Sequence, residues 1–177
     1  MARLRGDHGG MLPSGSLTSG DMSVALHESF MALALQQAQL AARMGEVPVG
    51  AVVVRHNQVI GAGHNLRETA RDPTAHAELV AMRAAAQQVG SWRLDACTVY
   101  VTLEPCPMCA GAMVLARVGA CVYGASDPKG GFLGTLADLS QFPGLNHQFA
   151  VVRGILRDPC GQVLRQFFRA VRAKQRG

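Results

Sequence analysis

Residues 96–123 read ACTVYVTLEPCPMCAGAMVLARVGACVY, and this stretch decides the fold. Ala96 to Thr102 is rich in Val and Tyr, as strands are. Pro105 interrupts the run, and Pro107 suits the first position of a helix reaching about Arg117. Ala120 to Tyr123 is a second short apolar strand. A strand, a helix and a strand joined this tightly predict a right-handed parallel crossover.

Upstream, Leu26, Phe30, Leu33, Ala34, Gln37, Ala38 and Ala41 recur at helical spacing within Ser23 to Met44, and Gly45 is a natural stop. Val47 to Arg55 and Gln58 to Gly63 flank His56-Asn57 and read as a hairpin. Asp72-Pro73 has the residue types of a helix start, an N-cap followed by N1, for a helix running to Val89 before Gly90. Downstream, Asp127 to Leu133 is a Gly-rich loop and Leu136 to Leu139 a short helix. Phe149 to Val152 is a last strand, and a C-terminal helix runs from Asp158. An antiparallel hairpin joined to a parallel crossover predicts an α/β fold, a three-layer sandwich whose central mixed sheet has about five strands.

Bulk properties set bounds on this reading. The 177 residues are 49% hydrophobic, enough for one domain with a real core. Residues 1–21, with Gly9, Gly10, Pro13, Ser14, Gly15, Ser16, Ser19 and Gly20, are expected to be a disordered tail ahead of a single domain over 22–177. No apolar run is long enough to cross a bilayer, and no signal peptide is expected, so the chain reads as soluble and cytoplasmic. The net charge of +5 is mild. Arg165, Arg169, Arg172, Lys174 and Arg176 concentrate in the last stretch, as phosphate contacts or as a solvated helix face. Five cysteines without a secretory signal argue for metal binding rather than a disulfide framework. Cys97 and Cys121 lie in strand-like runs and are expected in the core, and Cys160 is expected to be a partly buried thiol.

Two short motifs carry chemistry: His76-Ala77-Glu78, and Pro105-Cys106-Pro107-Met108-Cys109. Cys-x-x-Cys lets two thiolates share a tetrahedral metal, and it also serves redox pairs, which have no use for an upstream His-x-Glu. Residues two apart in mid-helix point to nearly opposite faces, so His76 and Glu78 can converge only where the chain enters a helix. Three protein ligands, His76, Cys106 and Cys109, leave one tetrahedral position for water, the mark of a catalytic zinc rather than a structural one. Zinc lowers the pKa of such a water towards ~7, and Glu78 is the natural group to move its proton. A closed structural site would need a fourth ligand. Cys121 and His147 are the candidates, and neither has ligand-like spacing. The pattern His-x-Glu followed by Pro-Cys-x-x-Cys is the signature of zinc deaminases.

Beyond these motifs, Glu46 to Ala51, Gly63-His64-Asn65, Asp72 to Glu78, Thr102 to Cys106, Met108 to Met113, Gly124-Ala125 with Asp127, Asn146-His147 and Phe167-Phe168 resemble the bacterial tRNA-specific adenosine deaminases. These belong to the zinc-dependent cytidine/deoxycytidylate deaminase superfamily. The resemblance covers roughly Glu28 to Arg169. It implies a cytidine-deaminase-like fold, one Zn(2+) per subunit, a homodimer, and conversion of the wobble adenosine of a tRNA anticodon to inosine. It also implies that Asn65 hydrogen-bonds the purine, that the Ala77 backbone holds the base, that Val49 lines the pocket, and that Glu104, Pro105 and Cys106 form a wall. Asp127 and Lys129 would touch the anticodon backbone, with Asn146 and His147 among the substrate contacts. One of Phe167 and Phe168 would stack on a flipped-out base. Simpler readings stay open here: a turn residue for Asn65, a surface turn at Asp127 to Gly131, a packing role for one of the phenylalanines. Leu66-Arg67 and Gly130-Gly131 depart from the usual pattern in the expected RNA-facing loops. Guanine deaminases also resemble the chain at the zinc motifs, so a free-nucleobase deaminase is the alternative. A non-catalytic zinc-containing RNA-binding protein is the alternative of another class.

Overall fold

The computed structural model describes residues 19–176. Helix α1 (Ser19–Arg43) is followed by β1 (Gly50–Arg55), β2 (Gln58–His64) and α2 (Ala77–Val89). Then come β3 (Thr98–Leu103), α3 (Pro107–Leu115), β4 (Ala120–Ala125), β5 (Ala150–Arg153) and α4 (Arg157–Gln175). The five strands form one sheet in the order β2-β1-β3-β4-β5. β1 runs antiparallel to β2 and β3, while β3, β4 and β5 are mutually parallel. The mixed three-layer architecture expected from the alternating elements is the one observed.

The strands alternate between two cores because successive side chains leave opposite faces of a sheet. Val53, Val99, Val101, Cys121 and Tyr123 face α2 and α3, meeting Ala77, Ala81, Ala85, Met113 and Val114. Val52, Val54, Tyr100 and Val122 face α1 and α4, meeting Phe30, Met31, Ala34 and Cys160. Cys160 is therefore fully buried, where a partly buried thiol was expected. Cys97 and Cys121 lie in the core as expected.

Element boundaries moved where the backbone found other partners. β1 starts at Gly50 rather than Val47, because Pro48 has no N–H and the Val49 N–H donates to the Val47 carbonyl at 2.9 Å. α2 starts at Ala77 rather than after Asp72. The Asp72 carboxylate accepts the Thr74 N–H and hydroxyl, each at 2.7 Å, making a local turn in place of an N-cap. Leu136 to Leu139 is not helical: a bridge pairs Leu133 with Asp138. α1 opens at Ser19, inside the segment expected to be tail, and residues 1–18 of that segment lie outside the described residues.

The approach of α2 to the sheet fixes where its first turn lies. A Cβ on Gly61 would meet the Ala81 carbonyl oxygen at 2.3 Å, and one on Gly63 the Ala81 nitrogen at 2.6 Å. Helix backbone thus rests directly on strand backbone, closer than any side chain permits. Gly61→Ala is expected to cost about 1–3 kcal/mol through overpacking. Thermal unfolding would read this as a Tm lower by about 2–4 °C per kcal/mol. An unchanged Tm would contradict the backbone contact.

Candidate active site

Two helix N-termini meet at the C-terminal edge of β3 and β4. His76 is the N-cap of α2, with extended backbone (φ −76, ψ 151), and Glu78 follows in the first turn. Cys106 is the N-cap of α3 (φ −74, ψ 172), Pro107 opens that helix, and Cys109 stands one turn in. Both motifs therefore sit where the chain enters a helix, the one place where the i, i+2 pair can converge. His76 Nδ1 lies 3.6 Å from Cys106 Sγ and 3.5 Å from Cys109 Sγ. A tetrahedral zinc with Zn–N near 2.05 Å and Zn–S near 2.3 Å separates its nitrogen and sulfur ligands by about 3.6 Å. The donor set and its spacing fit zinc. Among the described residues, this is the group of His, Cys and acidic side chains close enough to hold a metal, and neither Cys121 nor His147 joins it.

Electrostatics divide the labour. The thiol of Cys109 hydrogen-bonds to Cys106 and, with help from His76, draws the Cys106 thiol down to about 4. That bond to Cys106, followed by burial, drives Cys109 far above the ordinary thiol range, so the two sulfurs share one proton between them when no metal is bound. The partly positive ends of α2 and α3 favour anionic sulfur here. Glu78 is only 4% exposed; burial raises its carboxyl, its own backbone N–H lowers it, and the Cys106 charge raises it while His76 opposes, for a net position of about 7 without metal. A group poised near neutrality both takes and releases protons at physiological pH.

A cavity of about 150 Å³ opens beside Glu78, lined by Val47, Val49, Asn65, Arg67, His76, Ala77, Leu103, Glu104, Cys106 and Asp127. This is the share of about five liquid water molecules, the scale of a single base. It adjoins a far larger groove of about 1530 Å³, and the two share Val47, Leu103 and Asp127. The groove runs between the loop after β4 and helix α4. Lys129, Arg157, Arg165, Arg169 and Arg172 line it, with Phe168 among them.

The structure sorts the expected contacts. Val49, Asn65, Ala77, Glu104 and Asp127 reach the small cavity, and Lys129 lines the groove. Pro105 does not line the cavity; its carbonyl accepts the Phe132 N–H at 2.9 Å. Phe168 is 42% exposed and lines the groove, whereas Phe167 is half-buried and meets Phe168 edge-on with ring centroids 5.4 Å apart. Asn146 and His147 are not brought to the cavity. Both lie at the opposite end of β4, where Asn146 accepts from Arg117 at 2.7 Å and His147 Nε2 donates to the Val118 carbonyl at 2.7 Å.

Two buried carboxylates hold the cavity's walls. Glu104 Oε1 accepts the Leu133 and Thr135 N–H groups at 3.1 and 3.0 Å, and Oε2 accepts the Asp127 N–H at 3.1 Å and the Thr135 hydroxyl. Its carboxylate therefore straps the 127–135 loop to the end of β3. Glu46 is no expected site residue, and Arg67 is expected only as part of an RNA-facing loop, yet Arg67 lines the cavity and Glu46 lies directly behind Asn65. The available signal was a glutamate directly after a helix-stopping glycine, which alone does not distinguish a solvated turn from a buried anchor.

Because the Cys106–Cys109 pair must lose its shared proton to bind metal, zinc affinity is expected to fall as pH falls, by about tenfold or more per unit. Competition titration between pH 6.5 and 8 measures this, with one ion per chain as the expected stoichiometry. A pH-independent affinity would contradict the protonated pair.

Comparison with known proteins agrees with this geometry. The family described as MafB19-like deaminase matches residues 25–172. A tRNA-specific adenosine deaminase of Bacillus subtilis (strain 168) is 50% identical over 149 residues, covering 84% of this chain and 92% of that protein. One from Haemophilus influenzae is 43% identical over 150 residues, covering 84% of this chain and 87% of that protein. A solved structure from work on A-to-I editing by tRNA:A34 deaminases at the wobble position of transfer RNA superposes with a TM-score of 0.75 at 40% identity. It covers 77% of this chain and 99% of its own. A guanine deaminase from Nitrosomonas europaea shares the fold, with a TM-score of 0.66 at 24% identity over 90% of this chain and 98% of its own. With a complete His-Cys-Cys group, a buried glutamate beside it and identity of this extent, the chain belongs to the family of tRNA-specific adenosine deaminases.

Proposed function

We propose that the protein hydrolyses the wobble adenosine of a tRNA anticodon to inosine, releasing ammonia. The observation that carries this reading is the base-sized cavity beside Glu78 opening into a long basic groove. An enzyme acting on a free base has no use for such a groove, which argues against the guanine-deaminase alternative. A structural zinc protein has no use for the buried Glu78.

The bases of an anticodon loop leave their stack at less cost than those of a duplex, so a single adenine can enter the cavity. Asn65 and the Ala77 backbone hold its edge, and Val49 and Leu103 pack against it. Zinc held by His76, Cys106 and Cys109 would supply an activated water next to Glu78. Glu78 takes one proton from that water and gives it to N1, where inosine keeps it. The water oxygen bonds to C6, and Glu78 then carries the oxygen's second proton to the amine as the C6–N bond breaks, so that adenosine and water become inosine and ammonia. In the groove, Lys129 from the loop after β4 and Arg165, Arg169 and Arg172 from α4 offer phosphate contacts, Asp127 orients the loop by accepting the Lys129 N–H at 2.9 Å, and Phe168 stacks on a neighbouring base. Phe167 serves packing. Asn146 and His147 keep only the structural contacts described above.

No helix among the described residues is long and apolar enough to cross a membrane. A homodimer in the cytoplasm, where tRNA is processed, is the setting we assign from the family resemblance, and light scattering on the purified protein tests the dimer.

Sequencing tRNA after incubation tests the reaction, since inosine is copied as guanosine. Glu78→Ala is expected to keep its zinc and lose turnover by about 10²–10⁴-fold, and retained editing would sink the role given to Glu78. Phe168→Ala is expected to raise KM for tRNA by about tenfold, in line with ~1–3 kcal/mol for a stacked base. Phe167→Ala should act on Tm instead. The reverse pattern would exchange their roles.

A further inference from the structure

Glu46 is 1% exposed, although it lies in the connection between α1 and β1. Its Oε1 accepts the Thr69 N–H at 2.6 Å, and its Oε2 accepts the Glu68 N–H at 3.3 Å and the Asn65 Nδ2 at 3.4 Å. The same Asn65 Nδ2 donates to the Val47 carbonyl at 3.3 Å. A carboxylate and a carbonyl can only accept, so both must face the amide's NH₂ end. The Asn65 amide has one orientation that satisfies them, and its Oδ1 is turned the other way, towards the Arg67 N–H at 3.4 Å. Burial pushes the Glu46 carboxyl up, but the bonds from Thr69 and Glu68 outweigh it and hold the group below the usual carboxylate range. The acceptor therefore stays charged at neutral pH.

We infer that Glu46 is a positioning residue for base recognition, fixing which end of the Asn65 amide faces the base cavity. It touches neither the base nor the metal ligands, and acts through Asn65 and the 65–69 segment. Asn65 lines the cavity and is itself 8% exposed, so inverting its amide would exchange donor and acceptor beside the base. Glutamine at position 46 keeps the size and can still accept from Thr69. It can also turn its own NH₂ towards Asn65, which weakens the preference between the two amide orientations and leaves only the Val47 carbonyl and the Arg67 N–H to hold it.

The inference rests on the proposed tRNA reaction, but its first test needs no RNA. In ¹⁵N-labelled protein the Asn65 side-chain amide is expected to exchange slowly, and Glu46→Gln to speed that exchange at least about tenfold while zinc content stays at one per chain. Groove contacts dominate tRNA binding, so the loss on tRNA should fall on kcat, by about tenfold or more, with KM within about twofold. In an Asn65→Ala background Glu46→Gln should have no further effect on kcat, because the residue it positions is gone. Glu46→Asp keeps the charge and shortens the side chain, which breaks the 3.4 Å contact to Asn65 first, and gives the same reading on a second variant. Equal kcat losses with and without Asn65, or unchanged exchange of its amide, would overturn the inference. A wild-type protein that makes no inosine would instead overturn the proposed reaction and leave the amide result standing.

Discussion

Everything at the site depends on two helices starting at one point. α2 and α3 start in the space beyond the C-terminal ends of β3 and β4, and their N-caps and first turns bring together the three side chains that could hold a metal and the glutamate proposed to carry protons. A helix start solves two difficulties together. It lets His76 and Glu78, two residues apart, reach the same place, and it lends partial positive charge to a site that must hold thiolates. The β3-α3-β4 crossover delivers the cysteines, and the bare backbone of Gly61 and Gly63 lets α2 lie flat enough on β2 to deliver the histidine.

Around that point the protein uses buried carboxylates as anchors of two kinds. Glu78 has no backbone cluster to keep it ionised, and burial leaves it poised near neutrality, which suits a group that must exchange protons. Glu46 accepts from two backbone N–H groups and the Asn65 amide and stays charged, as an anchor should. Glu104 receives a similar set from the 127–135 loop and so ties the cavity to the basic groove. One residue type thus serves catalysis or architecture according to the donors that reach it.

Much of this was legible in the residues alone. The His-Cys-Cys group that could hold a metal was legible because thiol and imidazole side chains are few and their spacing is restrictive, and the sheet was legible because Val-rich runs alternate with helical periodicity. The rest depended on distant contacts. The bonds of Glu46 and Glu104 go mostly to backbone N–H groups 22 to 31 residues away, which leave no trace in side-chain pattern. Asp72-Pro73 has the composition of a helix start, and the turn with Thr74 was the stronger local competitor. Asn146 and His147 resemble their counterparts in the family, but likeness does not reveal that they sit at the far end of β4 from the cavity. Between Phe167 and Phe168 only the packing of α4 could decide.

The claim on which the account stands is an open metal site with three protein ligands. X-ray absorption at the zinc edge of the metal-loaded protein tests it directly. The expected spectrum has two sulfur neighbours near ~2.3 Å, one imidazole nitrogen near ~2.05 Å and one further light atom from solvent. A third sulfur or a second imidazole would mean a site closed by Cys121 or another protein ligand, and would contradict it.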